Sequence, residues 1–300
     1  MKYRTPLGLL GRVSEAIKLS AIMILPSKNT PARVYELLNT HNNLAEESLY
    51  LNMGYWVDAN TYDEACEALA IKLAESAELS EEEDVLDCGF GFADQDICWM
   101  RNFKPKSITG INVTPVQIKV GTERVAEAGY ADKVKLMRGS AIDIPLADSR
   151  VTKVLALESA FHFHTREDFF QEAFRVLKPG GMLVTADIVS ADVQKQSTVK
   201  GSVKGSAMRK FWQFPLENAY NSASYIERLN KWGFEEANIE SIGKDVYGPF
   251  HAYARKRVND PSVTLRLNPF IRKMWKESYN EDTHVDNVDY IIAKARKPNK

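Results

Sequence analysis

Apolar residues along the chain gather in short runs that end at a glycine or a polar turn, with helical spacing between them. Val85-Leu86-Asp87-Cys88-Gly89 is the first run, and it predicts a buried strand leading into a turn. Ile108-Thr109-Gly110-Ile111, Val134-Lys135-Leu136, Val154-Leu155-Ala156-Leu157 and Met182-Leu183-Val184-Thr185-Ala186 predict four more strands, and Tyr290-Ile291-Ile292-Ala293 a last one. Between them, Ala65, Leu69, Ile71 and Leu73 mark a helix over residues 62–77. Thr114-Pro115 is an N-cap followed by proline at the first helical position. Thr165 with Asp168 makes a capping box for a helix running to Leu177, where Lys178-Pro179-Gly180-Gly181 turns the chain into the fifth strand. This alternation predicts an α/β fold, a doubly wound and mostly parallel sheet with helices on both faces.

Two stretches fall outside the repeat. Residues 1–60 are expected to form a helical cap ahead of a main domain over 61–300. An insert at about 190–221, between the fifth and sixth strands, carries Lys and Ser and then Phe211, Trp212, Phe214 and Tyr220. Both can fold over the mouth of the sheet. Leu10, Val13, Ile17 and Ala21 share one helical face, but Arg12, Glu15 and Lys18 exclude a simple membrane span. The expectation is a helix packed on its own domain or on a second subunit of a homo-oligomer. Membrane contact through it is the less favoured reading, because its polar face is not strongly basic.

Composition narrows the class. With 300 residues, 44% hydrophobic and 26% charged, the chain reads as globular. A net charge of -1 and the lack of a basic, aromatic-interleaved stripe argue against nucleic acid and for a small-molecule partner. Cys66, Cys88 and Cys98 form no CxxC pair, as suits a reducing cytoplasm. His41, His251 and His284 are scattered, so no metal site is expected.

Candidate chemistry lies at the strand exits, where open parallel sheets bind ligands. Gly89 and Gly91, followed by Ala93, let the backbone turn tightly and approach a ligand. Alone, such a loop also serves nicotinamide or flavin dinucleotides. Asp87 changes the balance. A carboxylate there suits the sulfonium and ammonium of S-adenosylmethionine (SAM) and would repel a pyrophosphate. Asn112 ends the second strand where dinucleotide folds place an acid. The Gly139–Pro145 run can frame an adenine between Ile142 and Ser140.

Taken in order, these pieces resemble the class I SAM-dependent methyltransferases, with Leu157-Glu158-Ser159 and Arg175–Gly181 completing the set. The likeness is close over residues 50–190. Leu51-Asn52-Met53-Gly54-Tyr55-Trp56, Asp94-Gln95-Asp96 and Trp99 make the chain most similar to erythromycin-type macrolide-sugar O-methyltransferases. The resemblance implies a Rossmann-like seven-stranded sheet and SAM as cofactor. It implies that Asp87, Gly89 and Gly91 hold the methionine part; Glu158 itself reads as either structural or a contact near the SAM amino group. Asn112 and Gln117 would sit by the ribose, and Ser140, Ala141 and Ile142 by the adenine. Tyr55 and Trp56 would close over the cofactor. His162 leaves the fourth strand and is the candidate general base, a role imidazole suits at neutral pH. Asp187, at the end of the fifth strand, is its candidate partner. The expected acceptor is a hydroxyl of a natural product or sugar, with C- or N-methylation of a lipid or isoprenoid as the alternative.

Overall fold

The computed structural model describes residues 3, 8–24, 30–38, 40–191, 215–280 and 288–299. The cap opens with α1 (Leu9–Ile24) and α2 (Thr30–Leu38), and α3 (Tyr62–Ser76) leads into the sheet. There follow β1 (Asp84–Cys88), α4 (Asp94–Asn102), β2 (Ser107–Asn112), α5 (Pro115–Glu127), β3 (Val134–Arg138) and β4 (Val151–Leu157). Then come α6 (Arg166–Val176), β5 (Leu177–Ser190), α7 (Ser222–Lys231) and β6 (Glu235–Ser241). The chain ends with α8 (Gly243–Arg257), α9 (Pro261–Thr264), α10 (Pro269–Asn280) and β7 (Val288–Arg296).

The seven strands lie in the order β3-β2-β1-β4-β5-β7-β6, so the order reverses beside β1. β1 through β5 are parallel, and β7 runs antiparallel to both its neighbours. β1 is buried at every position, because helices cover both faces of the sheet; hence its unbroken apolar reading. One core layer holds α3, α4 and α8 residues such as Leu69, Trp99 and Val246. The other holds α6 and α7 residues such as Phe169, Phe170 and Tyr225. The capping box at Thr165 and Asp168 forms as expected. At α5 Thr114 makes no side-chain cap; its N–H donates to Asn112 Oδ1 instead, at 3.0 Å.

The cap differs from expectation in two ways. Helices α8 to α10, between β6 and β7, join it. Arg266 Nη2 donates to Asn43 O at 2.9 Å, and Asn268 N to Asn42 Oδ1 at 2.9 Å. Second, α1 packs inward through Glu15, Leu19 and Ile22, while Leu10, Val13 and Ile17 face outward. The aromatic residues Phe211, Trp212 and Phe214 lie outside the described residues.

Candidate active site

The site forms where β1 ends. Gly89 has φ +95°, and a Cβ there would lie 2.6 Å from Ser159 Cβ, so no larger residue fits. Its N–H donates to Ile111 O at 2.9 Å, which ties the loop to β2. Gly91 has φ +56°, and a Cβ there would meet nothing within 4 Å: the loop opens onto free space. Ala93, also left-handed at φ +66°, starts α4, whose first turn therefore stands at the loop. Asp94 in that turn pairs with Arg124 at 2.7 Å and accepts the Leu49 N–H at 3.2 Å, joining the loop to the cap.

Gly89→Ala should therefore weaken SAM binding about tenfold or more. The strained backbone should also cost about 1–3 kcal/mol of stability. Titration calorimetry and thermal unfolding read the two effects separately.

Beneath the loop Asp87 is fully buried and accepts from Gln95 Nε2 at 3.1 Å. Its Oδ1 and both oxygens of buried Asp96 have no hydrogen-bond partner among the described residues. Burial pushes both carboxyls well up, and their mutual repulsion adds to the rise at Asp96. Such a pair holds a proton that a bound cation would help release. Asn112 donates to Gln117 Oε1 at 2.9 Å, and both line the cavity, as do Ser140, Ala141 and Ile142.

Glu158 has φ +52° and opens onto the same cavity. Its Oε2 accepts the Met53 N–H at 2.8 Å. Burial, outweighing that hydrogen bond, pushes its carboxyl up to about 8. In the unfolded chain a glutamate ionises near ~4.3. Between these values the folded state keeps a proton that the unfolded state has lost, so stability falls as pH rises through the window. The buried carboxyls should pull the melting temperature of cofactor-free protein down between about pH 4.3 and about 8, against a smaller rise from His251, whose pKa burial lowers. Glu158→Gln should flatten part of that decline, leaving the part due to Asp87 and Asp96.

His162 stands just after β4, in a single 3₁₀ turn over Ala160–His162. Its Nε2 lies 3.0 Å from the hydroxyl of Tyr35 on α2, and the rings meet edge to face. Both residues line the cavity. No local pattern marks Tyr35, because 127 positions separate it from the histidine.

Three placements depart from expectation. Asp187 does not reach His162. It is fully buried in an ion pair with Arg166, at 3.0 Å, and also accepts the Tyr225 O–H at 3.0 Å. Side chains alternate along a strand, and here Thr185 and Asp187 face α7 while Ile188 faces the cavity. Tyr55 and Trp56 stand off the cavity wall. Gly54, at φ +78° and tight against Ala65, turns the chain after Met53. Met53 thus lines the cavity. Trp56 packs on Tyr62 and Tyr253, and Tyr55 lies under Lys72 Nζ.

The cavity measures about 1570 Å³ and runs from the glycine loop to α1, α2, α8 and α10. Tyr247, Phe250, Trp275 and Tyr279 form its far wall. Trp275 is buried. Among the described residues no three His, Cys, Asp or Glu cluster as metal ligands would.

Sheet order and glycine loop define a Rossmann-like enzyme that binds a nucleotide-type cofactor at the switch point. The methyltransferase domain family matches residues 86–185. The erythromycin 3''-O-methyltransferase of Saccharopolyspora erythraea is 32% identical over 278 residues, covering 88% of this chain and 89% of that protein. Methyltransferase GfsG of Streptomyces halstedii is 34% identical, covering 83% and 87%. The crystal structure of the [4+2]-cyclase SpnF superposes with a TM-score of 0.74 at 22% identity, covering 91% of this chain and 97% of that one; it shares the fold. The chain belongs to the class I SAM-dependent methyltransferases of the natural-product type, and SAM is its cofactor. The residues present suit it: an open glycine cradle and cavity-facing Glu158 to meet a cation, while Asp87, expected at the cofactor, lies buried beneath the loop and off the cavity wall.

Proposed function

We propose that this enzyme methylates a hydroxyl on a large natural product or its sugar, with His162 as general base. The observation that carries the reading is the Tyr35–His162 contact on the wall of one cavity that also holds the glycine loop. Asp87, Gly89 and Gly91 hold the methionine part of the cofactor, Asn112 and Gln117 the ribose, and Ser140 to Ile142 the adenine. When bound, SAM supplies an electrophilic methyl group on a positively charged sulfur. The protein's part is to place the acceptor oxygen in line and to remove its proton. Tyr35 holds the angle of the imidazole, and the ring nitrogen that carries no hydrogen takes that proton. Single-ligand pockets usually span about 300–1,000 Å³. This cavity exceeds that range, as a cofactor and a bulky acceptor together require.

The aromatic far wall favours a second reading, methylation of a lipid or isoprenoid at carbon or nitrogen. The deciding experiment incubates the enzyme with methyl-labelled SAM and two panels, glycosylated macrolides and isoprenoid lipids. Mass spectrometry then locates the added CH₂. Label on a sugar or macrolide oxygen is the expected result. Label confined to lipid carbon or nitrogen would overturn it.

A further inference from the structure

Carbon makes up most of the far wall of the cavity, through Phe250 on α8 and Met274 and Trp275 on α10. Two polar side chains share that wall, His251 on α8 and Tyr279 on α10. Their rings meet edge to face with centroids 5.7 Å apart. Phe250 braces both, at 5.8 Å from Tyr279 and 6.2 Å from His251. Packing thus fixes the pose of imidazole and phenol, yet neither side chain has a hydrogen-bond partner among the described residues. Both stand inside the fold but are only half-buried, because the cavity leaves part of each uncovered. Tyr247 on the same wall differs: its hydroxyl is sealed within the protein.

The protonation of the pair says what it can hold. Burial, helped by the positive charge of Arg255, pulls His251 below its ordinary value. At neutral pH its ring is therefore uncharged, with one nitrogen donating and the other accepting. Burial pushes the Tyr279 phenol well up, and the Glu158 carboxylate adds to the rise, so the hydroxyl keeps its hydrogen. The charge of Glu158 reaches Tyr35 as well. The wall therefore faces the chamber in which His162 stands, not a side pocket. An acceptor filling that chamber displaces the water that imidazole and phenol would otherwise bond. A hydrocarbon there would strand their polar atoms in a dry wall, which is costly, whereas oxygen atoms would satisfy them. The neighbouring rings of Phe250 and Trp275 suit the acceptor's apolar faces.

We propose that His251 and Tyr279 anchor the acceptor, bonding hydroxyl or carbonyl oxygens remote from the one that is methylated. The pair thereby selects a bulky, oxygen-bearing acceptor over a plain hydrocarbon chain and turns its reacting hydroxyl towards His162. This inference rests on the reading of the enzyme as a hydroxyl methyltransferase, and the test below separates the failure of one from the failure of the other.

The test measures methyl transfer from labelled SAM to the glycosylated macrolides and the isoprenoid lipids, with wild type and three variants of the full chain. His251→Phe keeps a ring against Tyr279 and Phe250 and removes both nitrogens. It should raise KM for a glycosylated macrolide about tenfold or more, with kcat within about threefold of wild type. His251→Gln restores a donor and an acceptor and should recover most of that loss. Tyr279→Phe should raise KM by roughly two- to twelvefold, as one lost hydrogen bond does. SAM affinity by calorimetry should not move in any of them, because the glycine loop lies on other elements. A split between KM and kcat, with rescue by glutamine, is what a merely structural histidine would not show. Macrolide labelling with KM within about twofold of wild type in His251→Phe and Tyr279→Phe would overturn the anchor and leave the hydroxyl reading standing. So would a loss confined to kcat. Wild-type enzyme that labels isoprenoids alone, or neither panel, would overturn the hydroxyl reading and the anchor with it.

Discussion

Asp187→Ala is expected to destabilise the fold by about 3–5 kcal/mol rather than merely slow the enzyme. Both members of the Arg166–Asp187 pair are fully buried. Removing one partner of such a pair typically costs about 3–5 kcal/mol, because the other charge is left without compensation. A native domain has only about 5–15 kcal/mol in total. The guanidinium would keep some contacts: Nη1 donates to Asn218 O at 2.8 Å and Nη2 to Ile188 O at 3.0 Å, and the group lies 5.0 Å from the Tyr220 ring. None of these carries a negative charge. The Tyr225 hydroxyl would lose its acceptor at Asp187 but keep its contact with Thr185, at 2.8 Å. Urea unfolding followed by circular dichroism measures the loss. The double variant Arg166→Met, Asp187→Leu should regain most of it, since apolar replacements for both members of a buried pair are often neutral or better. Unchanged stability in Asp187→Ala with abolished turnover would point the other way, to an aspartate serving His162.

The expectation that Asp187 serves His162 shows where a linear reading stops. Strand pairing was legible: β5 does lie beside β4, with Leu157 opposite Ala186. The face was not, because a one-residue step along a strand reverses the side chain's direction. Asp187 thus points at α7, and Ile188 takes the cavity side. The same limit applies after Met53, where a left-handed glycine turns Tyr55 and Trp56 away. Strands buried on both faces announced themselves as apolar runs. β6, Glu-Glu-Ala-Asn-Ile-Glu-Ser, is an edge strand with most positions exposed, so no apolar period marks it. The glycine loop could be read because backbone geometry dictates residue type there: Gly89 has neither the φ nor the room for a Cβ. Tyr35 could not, since its role depends on how α2 docks and not on any local pattern.

His162→Ala should lower turnover by about 10²–10⁴-fold, the range general-base catalysis usually contributes. SAM affinity should hardly move. The glycine loop, Asp87 and the Asn112–Gln117 pair are built from β1, β2, the loops after them and the first turns of α4 and α5, without help from the histidine. The separation is what gives the measurement its force. Calorimetry reports the cofactor site, and labelled methyl transfer reports the proton-removal step. Tyr35→Phe provides the graded control. It keeps the ring that meets His162 edge to face and deletes only the hydroxyl. Losing one hydrogen bond of about 0.5–1.5 kcal/mol should cost roughly two- to twelvefold in rate. Should His162→Ala retain turnover within about tenfold of wild type, base catalysis by that residue fails. Alignment of acceptor and cofactor would then carry the rate, as effective molarities allow. Glu158 would be the next group to test, since its carboxyl opens onto the same cavity and burial pushes it up to about 8, so any base activity it has would appear as pH rises through that value. Glu158→Gln would in that event do the damage that His162→Ala had not.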